Sequence, residues 1–205
     1  MDIAEIAVLL HPFAELSRQQ LADTLTYINL LQKWNSRINL TAVRNPQEVV
    51  TRHFGESFFA ARILLDKEEE DASTIADLGS GAGFPGLPIA MFAPHAQVTL
   101  IESNGKKAAF LSEVVRALDL KNVSVFSHRA EEYSDTVKLV VMRAVENFEA
   151  ALLAATRLVE PEGMLAVMIG SSQVEKARAV VPQCRWEQPT AVPGGQARVL
   201  LAGTL

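Results

Sequence analysis

The sequence predicts an α/β fold: a mainly parallel β-sheet covered by helices on both faces and preceded by a helical extension. Three observations carry that expectation. From Ser73 onward, short apolar runs of strand length alternate with stretches of helical period. Before that point, apolar residues recur at the three- and four-residue steps of a helix face. Between the two regions lies the charged run "DKEEEDAS", Asp66 to Ser73, which reads as a solvated connector. The chain therefore divides into a helical extension, residues 1–70, and an α/β domain, residues 71–205.

In the extension, Leu21, Leu25, Ile28, Leu31 and Trp34 share one helical face. A second helical stretch is expected from Pro46 to Leu65, with Pro46 in its first turn and Val49, Val50, Phe54, Phe58 and Ile63 as apolar positions. "STIADL" then reads as a buried strand, "PGLPIAMFA" as a helix and "QVTLIE" as a strand. The next helix, "NGKKAAFLSEVVRALDL", turns Phe110, Leu111, Val114, Val115 and Leu118 to one side. "NVSVF" and "VKLVVMR" are strands, "NFEAALLAATRLV" is a helix ending at "EPEG", "MLAVMI" is a strand and "SQVEKARAVV" a helix. "CRWEQPT" and "ARVLLAGT" are separated only by a loop containing "PGG". They fit an antiparallel pair at a sheet edge, with no room for a crossover helix.

Composition narrows the class. The chain has 205 residues, 49% hydrophobic and 21% charged, which suits a globular protein with a sizeable core. A single cysteine, Cys184, excludes an internal disulfide framework and a cysteine-based zinc site. The four histidines share no ligand spacing, so no metal is expected. The acidic start "MDIAEIAVLLHPF" lacks a basic secretory n-region, and no apolar run spans a bilayer. A cytoplasmic protein that acts as a monomer away from membranes is expected. A net charge of −5 argues mildly against nucleic acid as a partner unless basic residues cluster locally.

The chemistry concentrates in "ADLGSGAGFPGLP", Ala76 to Pro88, where the first strand of the α/β domain turns into its first helix. In open α/β sheets ligands bind beyond the carboxyl ends of the strands, and glycines there let a ligand approach the backbone. Gly81, Gly83 and Gly86 satisfy G-x-G-x-x-G, with the acidic Glu102 ending the second strand. The turn begins at Gly79, however. In that register Phe84 takes the place of the third glycine, and Phe84–Pro85 would crowd a pyrophosphate. Asp77 before the glycines would repel phosphate. It suits a phosphate-free cationic ligand such as S-adenosylmethionine, with Asp77 attracting the methionine end and Glu102 holding the ribose hydroxyls.

"DLGSGAGFPGLPIA", "TLIESNGKKAAFLSEV", "NVSVFSHRAEE", "WNSRINLTAV" and "RHFGES" together resemble the RsmG (GidB) family over roughly Leu30 to Gly170. The resemblance implies a class I, Rossmann-like S-adenosylmethionine methyltransferase sheet. It further implies methylation of guanine N7 in 16S ribosomal RNA, as naked RNA or within the small ribosomal subunit. By motif position it assigns Gly79 and Phe84 to the cofactor wall, Ala130 and Glu131 to the adenine, and Arg143 to the reaction site; Gly81, in the same glycine loop, is a further cofactor-binding candidate. Two departures stand out: Met142 where the family usually has serine, and Ile169 where a lysine is common.

Guanine N7 carries a free lone pair, so attack needs no general base, and no histidine or lysine is assigned as catalyst. Arg143 is the active-site candidate, as a donor to guanine O6 or to the cofactor carboxylate; the competing role is a salt bridge to Glu146. Arg44, Arg52, His53, Lys106 and Arg198 are the candidate RNA contacts, with Lys107 beside Lys106 also placed at the rim and His53 equally readable as a core histidine. Two other functions fit the same loop: a small-molecule methyltransferase, and a non-catalytic module binding a nucleotide cofactor.

Overall fold

In the computed structural model, residues 1–65 and 73–205 are described; the connector lies mostly outside them. The extension opens with α1 (Ile3–Leu10), capped by Asp2, and α2 (Arg18–Asn35), capped by Ser17. The stretch beginning at Pro46 is one helical passage in three parts. It runs through α3 (Pro46–Glu48), a π-helical turn at Val49–Gly55, and α4 (Glu56–Leu64). Its apolar positions are buried except Ile63, which is 45% exposed.

Among the described residues the sheet has eight strands. β1 (Thr74–Leu78), β2 (Gln97–Ile101), β3 (Val123–Phe126), β4 (Val137–Arg143) and the long β5 (Val159–Gly170) are parallel. β6 (Arg185–Trp186), β7 (Thr190–Ala191) and β8 (Arg198–Thr204) complete it. The order is β3-β2-β1-β4-β5-β8-β6, with β7 also against β8. β8 thus lies inside the sheet, antiparallel to β5 on one side and to β6 and β7 on the other. The expected antiparallel pair is present at this edge of the sheet, joined to the parallel strands through β8 against β5. "EPEG" also differs from expectation. It belongs to β5, where the register against β4 shifts between Val137 and Leu139 and accommodates the extra residues.

Strand parity explains the two cores. Leu139 and Val141 of β4, Ala166 and Met168 of β5, and Leu200 and Ala202 of β8 face one side. There they meet the extension together with α5 (Gly86–Phe92) and α6 (Gly105–Ala117). Val140 and Met142, Leu165 and Val167, and Val199 and Leu201 face the other side, against α7 (Phe148–Thr156) and α8 (Val174–Val180). The extension shares its core with the sheet: Tyr27, Phe54, Phe58, Leu87 and Phe110 are fully buried in one cluster. No helix among the described residues is long and apolar enough to cross a membrane.

Candidate active site

The glycine loop spends its own hydrogen-bond donors internally. The N–H groups of Gly79 and Ser80 donate to the Ile101 carbonyl at 2.9 and 3.1 Å. Those of Gly83 and Phe84 donate to the Ser80 carbonyl at 2.6 and 3.3 Å. Gly81 N–H donates to Glu102 Oε2 at 2.9 Å, and Gly86 N–H to Asp77 Oδ2 at 3.0 Å. A phosphate cradle needs such groups free at a helix start. Here the helix start is already satisfied from inside by Asp77, so the loop does not suit a dinucleotide. Gly83 cannot be replaced: its φ is +89°, and a Cβ there would run into the Tyr27 hydroxyl and Leu87. Gly81, at φ +58°, has nothing nearer than 3.7 Å to an added Cβ, so the space over its backbone is open.

That space belongs to a cavity of about 780 Å³ beyond the carboxyl ends of β1, β2 and β4. Of the residues singled out in the sequence, it brings together Gly79, Gly81, Phe84, Glu102, Ala130, Glu131, Arg143, Arg52 and His53. Four candidates are not among its lining residues. Asp77, expected to attract the methionine end of the cofactor, is instead wholly buried and accepts from Gly86 N–H behind the loop. Arg44, before α3, and Lys106 are exposed and do not line the wall; for Lys106 this is because α6 turns Lys107 toward the cavity instead. Arg198 is held in an ion pair beneath it.

Glu102 is preorganised: Oε2 accepts from Gly81 N–H and Oε1 from Asn104 N–H at 2.7 Å, with the carboxylate at the cavity edge. Phe84 stacks on Tyr27, ring centres 5.3 Å apart, and on His53 at 4.9 Å. His53 Nε2 bonds Thr41 Oγ1 at 2.7 Å, tying the "NLT" and "RHF" segments together. Burial, then the positive charges of Arg143, Arg52 and Arg198, lower the His53 pKa to about 3, so the ring is neutral near pH 7. Burial raises the Asp77 carboxyl to about 7, partly opposed by its bonds to Gly86 and Ser80.

Arg143 ends β4 with the parity of Leu139 and Val141, which turns it toward the extension. Its partner is Glu56 rather than Glu146: Nη2 lies 3.1 Å from Glu56 Oε2 and donates to the Arg52 carbonyl at 2.7 Å. Arg198 Nε donates to Glu56 Oε1 at 2.6 Å. Glu56 is only 2% exposed. Among the described residues, Arg143 Nη1 is buried with no acceptor, and Asp77 Oδ1 is buried with no donor.

Sequence reading missed Tyr27, Glu56, His128 and Arg129; the last two line the cavity, as does Lys107, the rim candidate beside Lys106. Tyr27 carried a signal, since it lies three residues after Thr24 and four before Leu31 on the buried stripe of α2. Its hydroxyl donates to the Ala82 carbonyl and so fastens the extension to the glycine loop. Glu56 carried none locally, because an acidic residue at a helix start is ordinary.

A family model described as rRNA small subunit methyltransferase G (GidB) matches residues 20–197. The chain belongs to that family. Two curated relatives carry the name ribosomal RNA small subunit methyltransferase G. One, from Xylella fastidiosa (strain 9a5c), is 41% identical over 170 residues, 82% of this chain and 77% of the relative. The other, from Stenotrophomonas maltophilia (strain K279a), is 40% identical over 175 residues, 83% and 79%. The family is one of S-adenosylmethionine-dependent methyltransferases acting on ribosomal RNA, and this chain is such an enzyme.

Solved structures agree on the fold. The magnesium protoporphyrin IX methyltransferase of Synechocystis PCC 6803, solved with bound SAM, superposes with a TM-score of 0.67 at 10% identity, covering 93% of this chain and 98% of that one. The Methanococcus jannaschii fibrillarin pre-rRNA processing protein gives 0.58 at 17%, covering 73% and 74%. The cavity fits the family's cofactor. Its loop offers no phosphate cradle, Glu102 is fixed at the end of β2, and the backbone over Gly81 stands open. The two departures from the family pattern, Met142 and Ile169, pack into the core on the far face of the sheet.

Proposed function

We propose that this enzyme methylates N7 of one guanine in 16S ribosomal RNA, and that the acceptor base enters the cavity beside Arg143, His53 and Phe84. The observation that carries this reading is Arg143, a nearly buried guanidinium at the wall of the cavity whose Nη1 has no acceptor among the described residues. An unmet buried donor costs about 1–3 kcal/mol, which a purely structural ion pair would avoid.

In this reading Glu102 accepts from the ribose hydroxyls of the cofactor, while Gly79, Gly81, Ala130 and Glu131 frame it. S-adenosylmethionine, when bound, supplies a methyl group on a sulfonium, open to in-line attack by a lone pair. Arg143 donates to guanine O6, which selects guanine over adenine at that edge. His53, neutral and braced by Thr41, gives the base a flat neighbour without adding charge. No side chain has to take a proton, because N7 has none to lose. Placement and a fixed polar environment therefore supply the rate. Arg52, Lys107 and Arg129 put positive charge at the mouth of an otherwise acidic protein, where RNA phosphates arrive.

The substrate is taken as naked RNA or the small subunit, with one copy of the chain acting in a cytoplasmic setting, and the extension before the connector forms the acceptor side of the cavity. The test incubates the protein and labelled S-adenosylmethionine with undermethylated 30S subunits and, separately, with their extracted 16S RNA. Label at a single guanine N7 is the expected result. Active, folded protein that labels some other atom, or nothing, would overturn the reading.

A further inference from the structure

The side chain that holds Arg143 is itself unusual. Glu56 is a carboxylate at 2% exposure, gripped by two guanidiniums from different strands, Arg143 of β4 and Arg198 of β8. Buried ion pairs of this kind seldom add net stability, because desolvation offsets the attraction. What they do well is fix geometry. Two constraints act on the same atom of Arg143: Nη2 is bound by Glu56 Oε2 and by the Arg52 carbonyl. The π-helical turn at Val49–Gly55 carries that carbonyl, and α4 begins at Glu56 directly after it. One helical passage of the extension thus presents both acceptors to one nitrogen. Arg198 holds the other oxygen of Glu56 and so prevents the carboxylate from turning away.

We propose that Glu56 is a positioning residue for methyl transfer: together with the Arg52 carbonyl it clamps Arg143 Nη2 and so fixes the rest of the guanidinium at the cavity wall, where the acceptor base is read. This rests on the reading of Arg143 given above. It assigns the extension a part in the chemistry, because the clamp belongs to the extension and the clamped arginine to the sheet. It also gives Arg198, expected on sequence grounds to touch RNA, a different task as the counter-anchor of Glu56.

The experiment measures single-turnover methyl transfer to undermethylated 30S subunits at saturating S-adenosylmethionine, and cofactor affinity by calorimetry. It uses wild type, Glu56→Gln, Arg198→Gln, Arg143→Ala, and the two doubles that combine Glu56→Gln or Arg198→Gln with Arg143→Ala. Glu56→Gln is expected to lose about 100-fold in rate with less than about 3-fold change in cofactor Kd. In the Arg143→Ala background the same change is expected to cost less than about 3-fold, because the residue it positions is gone. Arg198→Gln leaves Glu56 on Arg143 alone and is expected to lose about 5-fold, again only when Arg143 is present. Should Glu56→Gln fail to fold by circular dichroism, Arg198→Gln, altered at a one-third-exposed side chain, decides the matter. Effects that multiply in the Arg143→Ala background would overturn the proposal, as would losses carried by cofactor Kd with the rate unchanged. Wild-type protein that transfers no methyl group would instead overturn the acceptor reading on which it rests.

Discussion

Two buried groups beside the glycine loop pull the pH dependence of stability in opposite directions, and the variants that separate them make a quantitative test. Asp77, at about 7 in the folded protein against 3.8 in an unfolded chain, binds its proton more tightly when folded. Its contribution is therefore full below about pH 4 and is lost as pH rises through 7. His53, at about 3 against 6.5, resists protonation when folded. Its contribution is full above about pH 6.5 and is lost as pH falls toward 3. Between about pH 4 and 6.5 the folded protein holds a proton on Asp77 and none on His53, while the unfolded chain does the reverse. The proton counts match, so this pair gives almost no slope there.

Asp77→Asn keeps an acceptor for Gly86 N–H and removes the ionisation. Its unfolding free energy relative to wild type should rise by about 4 kcal/mol between pH 4 and pH 8. His53→Gln keeps a partner for Thr41. Relative to wild type it should gain about 3 kcal/mol as pH falls from 8 to 4. Neither group is among the causes of the other's shift, so the two difference curves are independent. The assay is urea denaturation at pH steps from 4 to 8, read as variant minus wild type, so that constant offsets from lost packing cancel. Parallel curves for all three proteins would refute the reasoning.

Other consequences follow from the same contacts. Gly83→Ala should destabilise by about 3 kcal/mol or more, from a positive φ together with a collision at Tyr27 and Leu87. Gly81→Ala, strained but unobstructed, should cost about 1 kcal/mol, and the contrast is checked by chemical denaturation. Tyr27→Phe strands the Ala82 carbonyl; it should cost about 1–3 kcal/mol and weaken S-adenosylmethionine binding measured by calorimetry. Lys107→Ala should lower RNA affinity and reduce the salt slope by about one, whereas Lys106→Ala should leave both nearly unchanged, by filter binding across a salt series.

What the sequence could disclose follows from the range of the interactions. The loop, its strand and its helix are local: glycines at positive φ, a buried apolar run and a helical period can all be read from neighbours in the chain. Glu102 was legible for the same reason, as the acidic end of the second strand. Asp77 was legible as a position but not as a role. Its carboxylate reaches Gly86, nine residues on, so it braces the helix start and leaves the cavity to others. The same holds for Lys106 and Lys107, both readable as rim candidates, of which the turn of α6 brings only Lys107 to the cavity wall.

The acceptor side is where local reading ended. Glu56 meets Arg143 and Arg198 across 87 and 142 residues of chain, and no pattern near Glu56 announces either partner. Strand parity did contain part of the answer. Arg143 shares the side of Leu139 and Val141, and Arg198 that of Leu200 and Ala202. Both arginines must therefore face whatever covers that side of the sheet, which is the extension together with α5 and α6. Glu146 lies beyond the strand end, outside that alternation. Had the strand order been known, two like charges turned toward one helical layer would have required a buried anion in that layer. Among the described residues of α2 to α4, Glu56 is the wholly buried carboxylate that meets the requirement.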